Sequence, residues 1–268
     1  MSQIRPAAVA GAFYPVNAQV LGRDIDAMLG DTPAAQGPLP KAIIVPHAGY
    51  IYSGPIAASA YQRLMPGRDT IKRVVLLGPA HRVPMRGLAL PEAKFFATPL
   101  GNVAIDQAGC AALRGLPQVS ISAAAHTMEH SLEVQLPFLQ RVLGEFSLIP
   151  LVVGDTSAEA VAEVLDRLWG GTETLIVISS DLSHYLPYAV AQHVDEQTTQ
   201  MILDLKTGIN HEQACGGTPV NGLLLAAQRH GLSPELLDLR NSGDTAGDAE
   251  HVVGYAAFAF VEKTRHDH

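Results

Sequence analysis

Three apolar runs in this 268-residue chain each end in a residue that can bind a metal or move a proton. Ala42-Ile43-Ile44-Val45 leads through Pro46 to His47. Val74-Val75-Leu76-Leu77 leads through Gly78-Pro79-Ala80 to His81. Thr174-Leu175-Ile176-Val177-Ile178 leads through Ser179-Ser180 to Asp181, with His184 three residues further on. Imidazole binds zinc, iron and copper, and it titrates near neutrality. A carboxylate beside it can orient the ring or accept its proton. His47, His81 and the Asp181/His184 pair therefore predict one pocket that holds a metal, handles protons, or does both.

Cys215 stands in Cys215-Gly216-Gly217-Thr218-Pro219, just before a helix expected over residues 220–230. A helix start favours the thiolate, which would make Cys215 a ligand or a nucleophile. The alternative is a small buried hydrophobe. With His47 and His81 it makes a three-point set with open positions, suited to zinc, iron or copper. Asp181 reads as an acceptor behind a histidine or as the cap of its own turn. His184 reads as an acid/base group. His126-Thr127-Met128-Glu129-His130 spells H-x-x-E-H, the inverted zinc-peptidase order. On a helix His126, His130 and Glu133 would share a face, which opens a second set of pocket candidates (His126, Glu129 and His130) and a zinc-hydrolase reading. The alternative there is a polar helix start. Arg265 to His268 reads as a frayed end.

These residues need elements to carry them. A strand over 42–45, a helix over 56–64 opened by Gly54-Pro55, and a strand over 73–77 predict parallel pairing through a right-handed crossover. His47 and His81 then lie at the carboxyl ends of the strands, where ligands gather in open α/β sheets. Further strands are expected over 146–153, 174–179 and 252–261, with helices over 157–169, 190–203 and 220–230. Leu132, Leu136, Leu139 and Leu143 predict an amphipathic helix kinked at Pro137. Residues 87–102, broken by prolines, predict a hairpin or an excursion over the pocket. Near the N-terminus, Leu21, Ile25, Met28 and Leu29 predict a helix covering part of the sheet. No repeat or low-complexity linker interrupts the pattern, so residues 1–268 are expected to form one domain.

Composition narrows the function. Hydrophobic residues make up 47% of the chain and charged residues 16%, enough for a substantial core. A net charge of −8 argues against a nucleic-acid partner, which would require a basic footprint. Two distant cysteines, Cys110 and Cys215, do not suggest a disulfide framework. Met1 to Pro15 lacks the apolar core of a signal peptide, and no run approaches the roughly 20 apolar residues of a membrane helix. A reducing cytoplasm is the expected location.

Six segments in order carry a resemblance to a known family: Ala10-Gly11-Ala12-Phe13-Tyr14-Pro15, Pro46-His47-Ala48-Gly49-Tyr50, Leu77-Gly78-Pro79-Ala80-His81, Glu129-His130-Ser131-Leu132-Glu133, Ser179-Ser180-Asp181-Leu182-Ser183-His184 and Cys215-Gly216. Over nearly its whole length the chain resembles the Memo family, whose bacterial and archaeal members are called AmmeMemoRadiSam system protein B. The resemblance implies the fold of the class III extradiol ring-cleaving dioxygenases: a single three-layer α/β/α domain around a mostly parallel sheet. It implies His47, His81 and Cys215 as metal ligands, with the thiolate where the dioxygenases use a glutamate, and Asp181 and His184 as the pocket acid/base pair. A thiolate in that place favours Fe(II), with copper or zinc as alternatives. The expected activity is a mononuclear, dioxygenase-like oxidoreductase acting on an unidentified small molecule. A non-catalytic protein gripping a peptide or a metal in the same pocket is the second reading. Association within the family suggests pathway links to a radical-SAM protein and an AMMECR1-like protein.

Overall fold

The computed structural model describes residues 3–34 and 36–262, so the terminal segment Arg265 to His268 lies outside the described residues. In chain order the strands are β1 (Ile4–Arg5), β2 (Ala42–Val45), β3 (Arg73–Pro79), β4 (Leu88–Leu90), β5 (Phe95–Thr98), β6 (Gly101–Ile105), β7 (Val119–Ile121), β8 (Ser147–Val153), β9 (Thr174–Ser179), β10 (His184–Leu186), β11 (Leu232–Asn241) and β12 (Val252–Glu262). The helices are α1 (Ala18–Gly30), α2 (Tyr50–Gln62), α3 (Gln107–Ala112), α4 (Ala123–Thr127), α5 (Leu136–Val142), α6 (Ala158–Leu168), α7 (Tyr188–Leu203) and α8 (Gly217–His230).

Successive side chains of a strand point to opposite faces, so a continuous apolar run needs cover on both sides. The central strands meet that demand. Ile43, Val45, Val74, Leu76, Leu175 and Val177 enter one core, closed by Leu21 and Ile25 of α1, Ile56 and Tyr61 of α2, and Phe138 of α5. Ala42, Ile44, Val75, Leu77, Ile176 and Ile178 enter the other, closed by Val161 and Leu165 of α6 and Leu223 and Leu224 of α8. The result is three layers, as expected for this class.

The sheet runs β1-β5-β6-β8-β3-β9-β2-β12-β10, with β11 also on β12 and β4 and β7 branching from β8. Strands β8, β3, β9 and β2 are mutually parallel. One expectation changes here: β2 and β3 do not pair, because β9 lies between them and bonds to both. Thr174–Ser179 is buried along its whole length and takes the centre. The carboxyl ends of β2, β9 and β3 consequently form one row, which carries His47, Asp181 and His81.

Three local expectations are also corrected. Helix α2 starts at Tyr50, so Pro55 sits inside it rather than in its first turn, at the cost of one intrahelical bond. The helix expected to run on from the H-x-x-E-H segment is not continuous. Helix α4 ends at Thr127, a 3-10 turn spans Glu133–Gln135, and α5 begins at Leu136. Pro137 therefore falls in the first turn of α5, where its missing N–H is harmless, and no kink results. Residues 87–102 form β4 and the β5–β6 hairpin at the sheet edge, and none of them lines the histidine cavity.

Glu133 has a different job from the one its spacing suggested. Its buried carboxylate accepts hydrogen bonds from the Arg5 guanidinium, the Tyr14 hydroxyl (2.6 Å) and the amides of Ala8 (2.8 Å) and Val9 (3.0 Å). It ties the N-terminal arm to the domain.

Candidate metal centre

A cavity of about 630 Å³ opens over the row of strand ends. His47, His81, His130, Asp181 and His184 line it, with Phe13, Tyr52 and Tyr185 among its aromatic walls. One nitrogen from each of His47, His81 and His130 lies within 4.8 Å of the others. The His81 and His130 rings stack with centroids 4.7 Å apart, and His47 meets both edge-on, at 5.2 and 5.5 Å.

Hydrogen bonding fixes how His47 presents itself. The Ser179 hydroxyl at the end of β9 donates to the Ser131 carbonyl (2.6 Å), which can only accept. The Ser179 oxygen therefore accepts from its other partners, Gln135 Nε2 (2.8 Å) and His47 Nδ1 (2.9 Å). His47 carries its proton on Nδ1, and Nε2 keeps a free lone pair. The ring is buried, and burial, followed by the nearby His81 and His130, lowers its pKa well below the ordinary value. It is a neutral donor at physiological pH.

Glu129 does the same for His81. Its Oε1 accepts from His81 Nδ1 (2.9 Å) and from the amides of His130 and Ser131 (both 3.0 Å), and its Oε2 accepts from the His81 amide (2.6 Å). Burial acts to raise this carboxyl, but the side-chain bond from His81 and the amide bonds from Ser131 and His81 outweigh it and hold the pKa at about 2. An ionised carboxylate on Nδ1 leaves His81 Nε2 as the lone pair, the arrangement that orients metal-ligating histidines. The loop bearing Glu129 and His130 is docked by Ser131 Oγ donating to Pro79 O (2.9 Å). Gly78 permits this approach, since a Cβ there would lie 2.8 Å from Ser131 Oγ.

His130 completes the trio. Burial, then His81, lowers its pKa to about 4, and its buried Nδ1 makes no hydrogen bond, lying 3.4 Å from Glu129 Oε1. Buried polar atoms are rarely left unpaired without a reason. Three converging imidazoles fit a cation that would occupy their free lone pairs.

Asp181 is buried, and its Oδ1 accepts from the His47 amide (2.6 Å). Burial raises its pKa to about 6, opposed by that amide and by His184 and His81. His184 Nδ1 lies 2.8 Å from the Leu182 carbonyl and must donate to it, so its Nε2 is the acceptor. Cys215 sits two residues before α8, with Sγ 3.3 Å from His47 Nε2. Gly216 lets this segment close on β9, because a Cβ there would lie 2.7 Å from Ser180 Cβ. The surroundings of the sulfur oppose the thiolate expected from the helix start. Burial, then Asp181, raises the thiol pKa to about 12, and the thiol donates towards the Asp181 carbonyl (3.7 Å). Its exposed side opens on a separate cavity with His81, His211 and Asp155. Both cysteines are free.

His126 stands apart from this group. Its Nε2 donates to Ala89 O (2.8 Å), and it lines another cavity beside Arg5 and Pro91. The break after α4 turns it away from His130, so the set of His126, His130 and Glu133 on one helix face does not form.

Residues 5–259 match the family model described as Memo-like protein. The chain belongs to this family. It is 38% identical over 272 residues to a MEMO1 family protein of Aquifex aeolicus, covering 97% of this chain and all of that one. Identity is 36% to a MEMO1 family protein of Aeropyrum pernix (95% and 99% covered) and 37% to one of Methanopyrus kandleri (96% and 98% covered). The solved structure of an uncharacterized Escherichia coli K12 protein superposes with a TM-score of 0.50 at 13% identity, covering 81% of this chain and 98% of that one. That likeness concerns the fold alone. Among the described residues no helix is long and apolar enough to cross a membrane.

Sequence reasoning singled out His130, but as a helix partner of His126. Its approach to His47 and His81 depends on the Ser131–Pro79 contact, which has no local sequence signal.

Proposed function

We propose that this Memo-family chain is a metal-dependent redox enzyme, with a single non-haem iron(II) first and copper second, acting on a small organic substrate. The observation that carries this reading is the convergence of three imidazoles beneath an open cavity walled by Asp181 and His184. His47 and His81 are the two donors whose tautomers are set by Ser179 and Glu129. The third is His130, with Cys215 beside His47 as the alternative or an additional donor. Imidazole with a neighbouring thiol suits borderline metals. Once bound, such a metal would supply Lewis acidity and a one-electron couple. The chain's own residues do the rest. Asp181, with a pKa near 6, and His184, with a free Nε2, can hold or accept a proton from a substrate hydroxyl in the cavity. Phe13, Tyr52 and Tyr185 wall the space in which such a substrate would be oriented.

A second reading, a peptide-binding protein, draws on an apolar groove of about 590 Å³ that shares Phe13, Gly49 and Tyr52 with the cavity. Oxygen uptake by anaerobically iron-loaded protein, screened against aromatic diols and small reductants, separates the two. Metal-dependent uptake that is lost in His184→Ala supports the enzyme. Tight metal binding with no uptake for any substrate supports the binder.

A further inference from the structure

His184 occupies a weakly built part of the sheet. Strand β10 has three residues, its pairing with β12 shifts register between His184 and Leu186, and Tyr185 adopts a left-handed φ of 57°. The ladder to β12 is short, with His184 opposite Val253 and Leu186 opposite Val252. Two other contacts act just upstream of it. The Leu182 amide donates to Gly254 O (2.8 Å) and the Gly254 amide donates to Ser183 O (2.9 Å), which locks one edge of the turn onto β12. The remaining group is the Ser183 amide, which would otherwise be a buried orphan, and it donates to Oδ1 of Asp195 at 3.0 Å.

Asp195 reaches this amide from the second turn of α7. It is 2% exposed, and its carboxylate packs against Gly254, where any Cβ would collide with it. Asp195, Gly254 and Ser183 thus form a three-way contact directly behind His184. A buried carboxylate is costly to keep, and burial raises this one to about 6 against the bond from Ser183. No cation is paired with it among the described residues, so an apolar side chain would serve packing alone better.

From this geometry we infer that Asp195 is a positioning residue: through the Ser183 amide it sets the turn that keeps His184 as the Nδ1–H tautomer, with Nε2 available to the cavity. The role rests on the proposed proton-handling part of His184. The chain of bonds is Asp195 Oδ1 to Ser183 N–H, and then across the fixed turn to His184 Nδ1–H on Leu182 O. Losing the first bond frees the Ser183 peptide to rotate, and the Leu182 carbonyl turns with it. Sequence offers no signal for this, since Asp195 is an ordinary helical aspartate among polar neighbours.

The test is long-range ¹H–¹⁵N NMR of the histidine rings in the full chain, which distinguishes the two neutral tautomers. The unaltered protein should show His184 as a single Nδ1–H species. Asp195→Ala should lose it and give a tautomer mixture, whereas Asp195→Asn, which keeps an acceptor oxygen, should retain it. Should the alanine variant fail to fold, Asp195→Ser, which fills more of the space, takes its place in the same measurement. A single Nδ1–H tautomer in the alanine or serine variant overturns the inference. So does its loss in the asparagine variant. Cobalt(II) titration runs beside it as a probe of the metal reading. Unchanged binding in all variants is expected, because the three clustered histidines lie on other segments. Failure of the unaltered protein to bind cobalt would overturn the metal reading and leave the tautomer result standing.

Discussion

Glu129→Gln should damage the metal centre without removing a ligand. The carboxylate accepts four N–H groups, three on Oε1 and one on Oε2. A glutamine has one acceptor oxygen, and placing it at the Oε1 position saves the most bonds. Its amide NH₂ then faces the His81 amide, whose bond to the carboxylate is 2.6 Å long. Two donors are set against each other at a partly buried position, where an unsatisfied donor costs up to about 1–3 kcal/mol. The remaining bonds also lose their charge assistance. Easing the clash requires His81 to shift, so its Nε2 no longer aims at the ion. Loss of such a partner behind a ligand histidine lowers metal affinity by about 10- to 100-fold, or about 1.4–2.7 kcal/mol. Calorimetric titration with cobalt(II) reads the affinity, and urea unfolding reads the fold. The expected result is a folded variant, destabilised by about 1–3 kcal/mol, that binds the ion at least tenfold more weakly. Unchanged affinity in a folded variant would refute the idea that Glu129 orients His81.

Other perturbations separate the remaining roles. His130→Ala and Cys215→Ser compare the two candidates for third donor: the account expects the histidine variant to lose more cobalt affinity, measured by the same titration. His126 is buried and neutral, with a pKa near 4. Between pH 6.5 and 4 the unfolded chain takes up a proton that the folded chain refuses, so stability falls as pH falls through that window, by about 3 kcal/mol for this group. His126→Met should flatten that part of the stability–pH curve measured by urea unfolding, without changing metal binding at pH 7. Glu133→Gln leaves the Arg5 guanidinium buried without its countercharge and should lower stability by about 3–5 kcal/mol, read as a drop in urea midpoint. Its metal stoichiometry should stay intact, because Glu133 serves the arm and not the ion.

Much of the fold was legible because buried parallel strands read as uninterrupted apolar runs. Ala42–Val45 and Thr174–Ser179 match their expected bounds for that reason, and Gly231 ends α8 in a left-handed conformation, as a glycine after a helix suggests. Strand order was not legible, since placing β9 between β2 and β3 depends on how two separate crossovers share one sheet. Nor was the loop of Glu129 and His130, whose H-x-x-E-H spacing suggests a helix until tertiary contacts to Glu133 and Pro79 pull the segment apart. The Cys215 reading shows a contest of two effects. The helix start favours a thiolate, but burial beside Asp181 wins by enough to raise the thiol to about 12. Local sequence shows the first effect and not the second.

The central claim is that His47, His81 and His130 share one ion. X-ray absorption spectroscopy and metal analysis of the chain loaded anaerobically with iron(II) test it most directly. The account predicts one ion per chain with imidazole nitrogen dominating its shell, lost when His47, His81 and His130 are replaced together by alanine and kept in His126→Met. Absence of bound iron, or an ion retained by the triple variant, would contradict it.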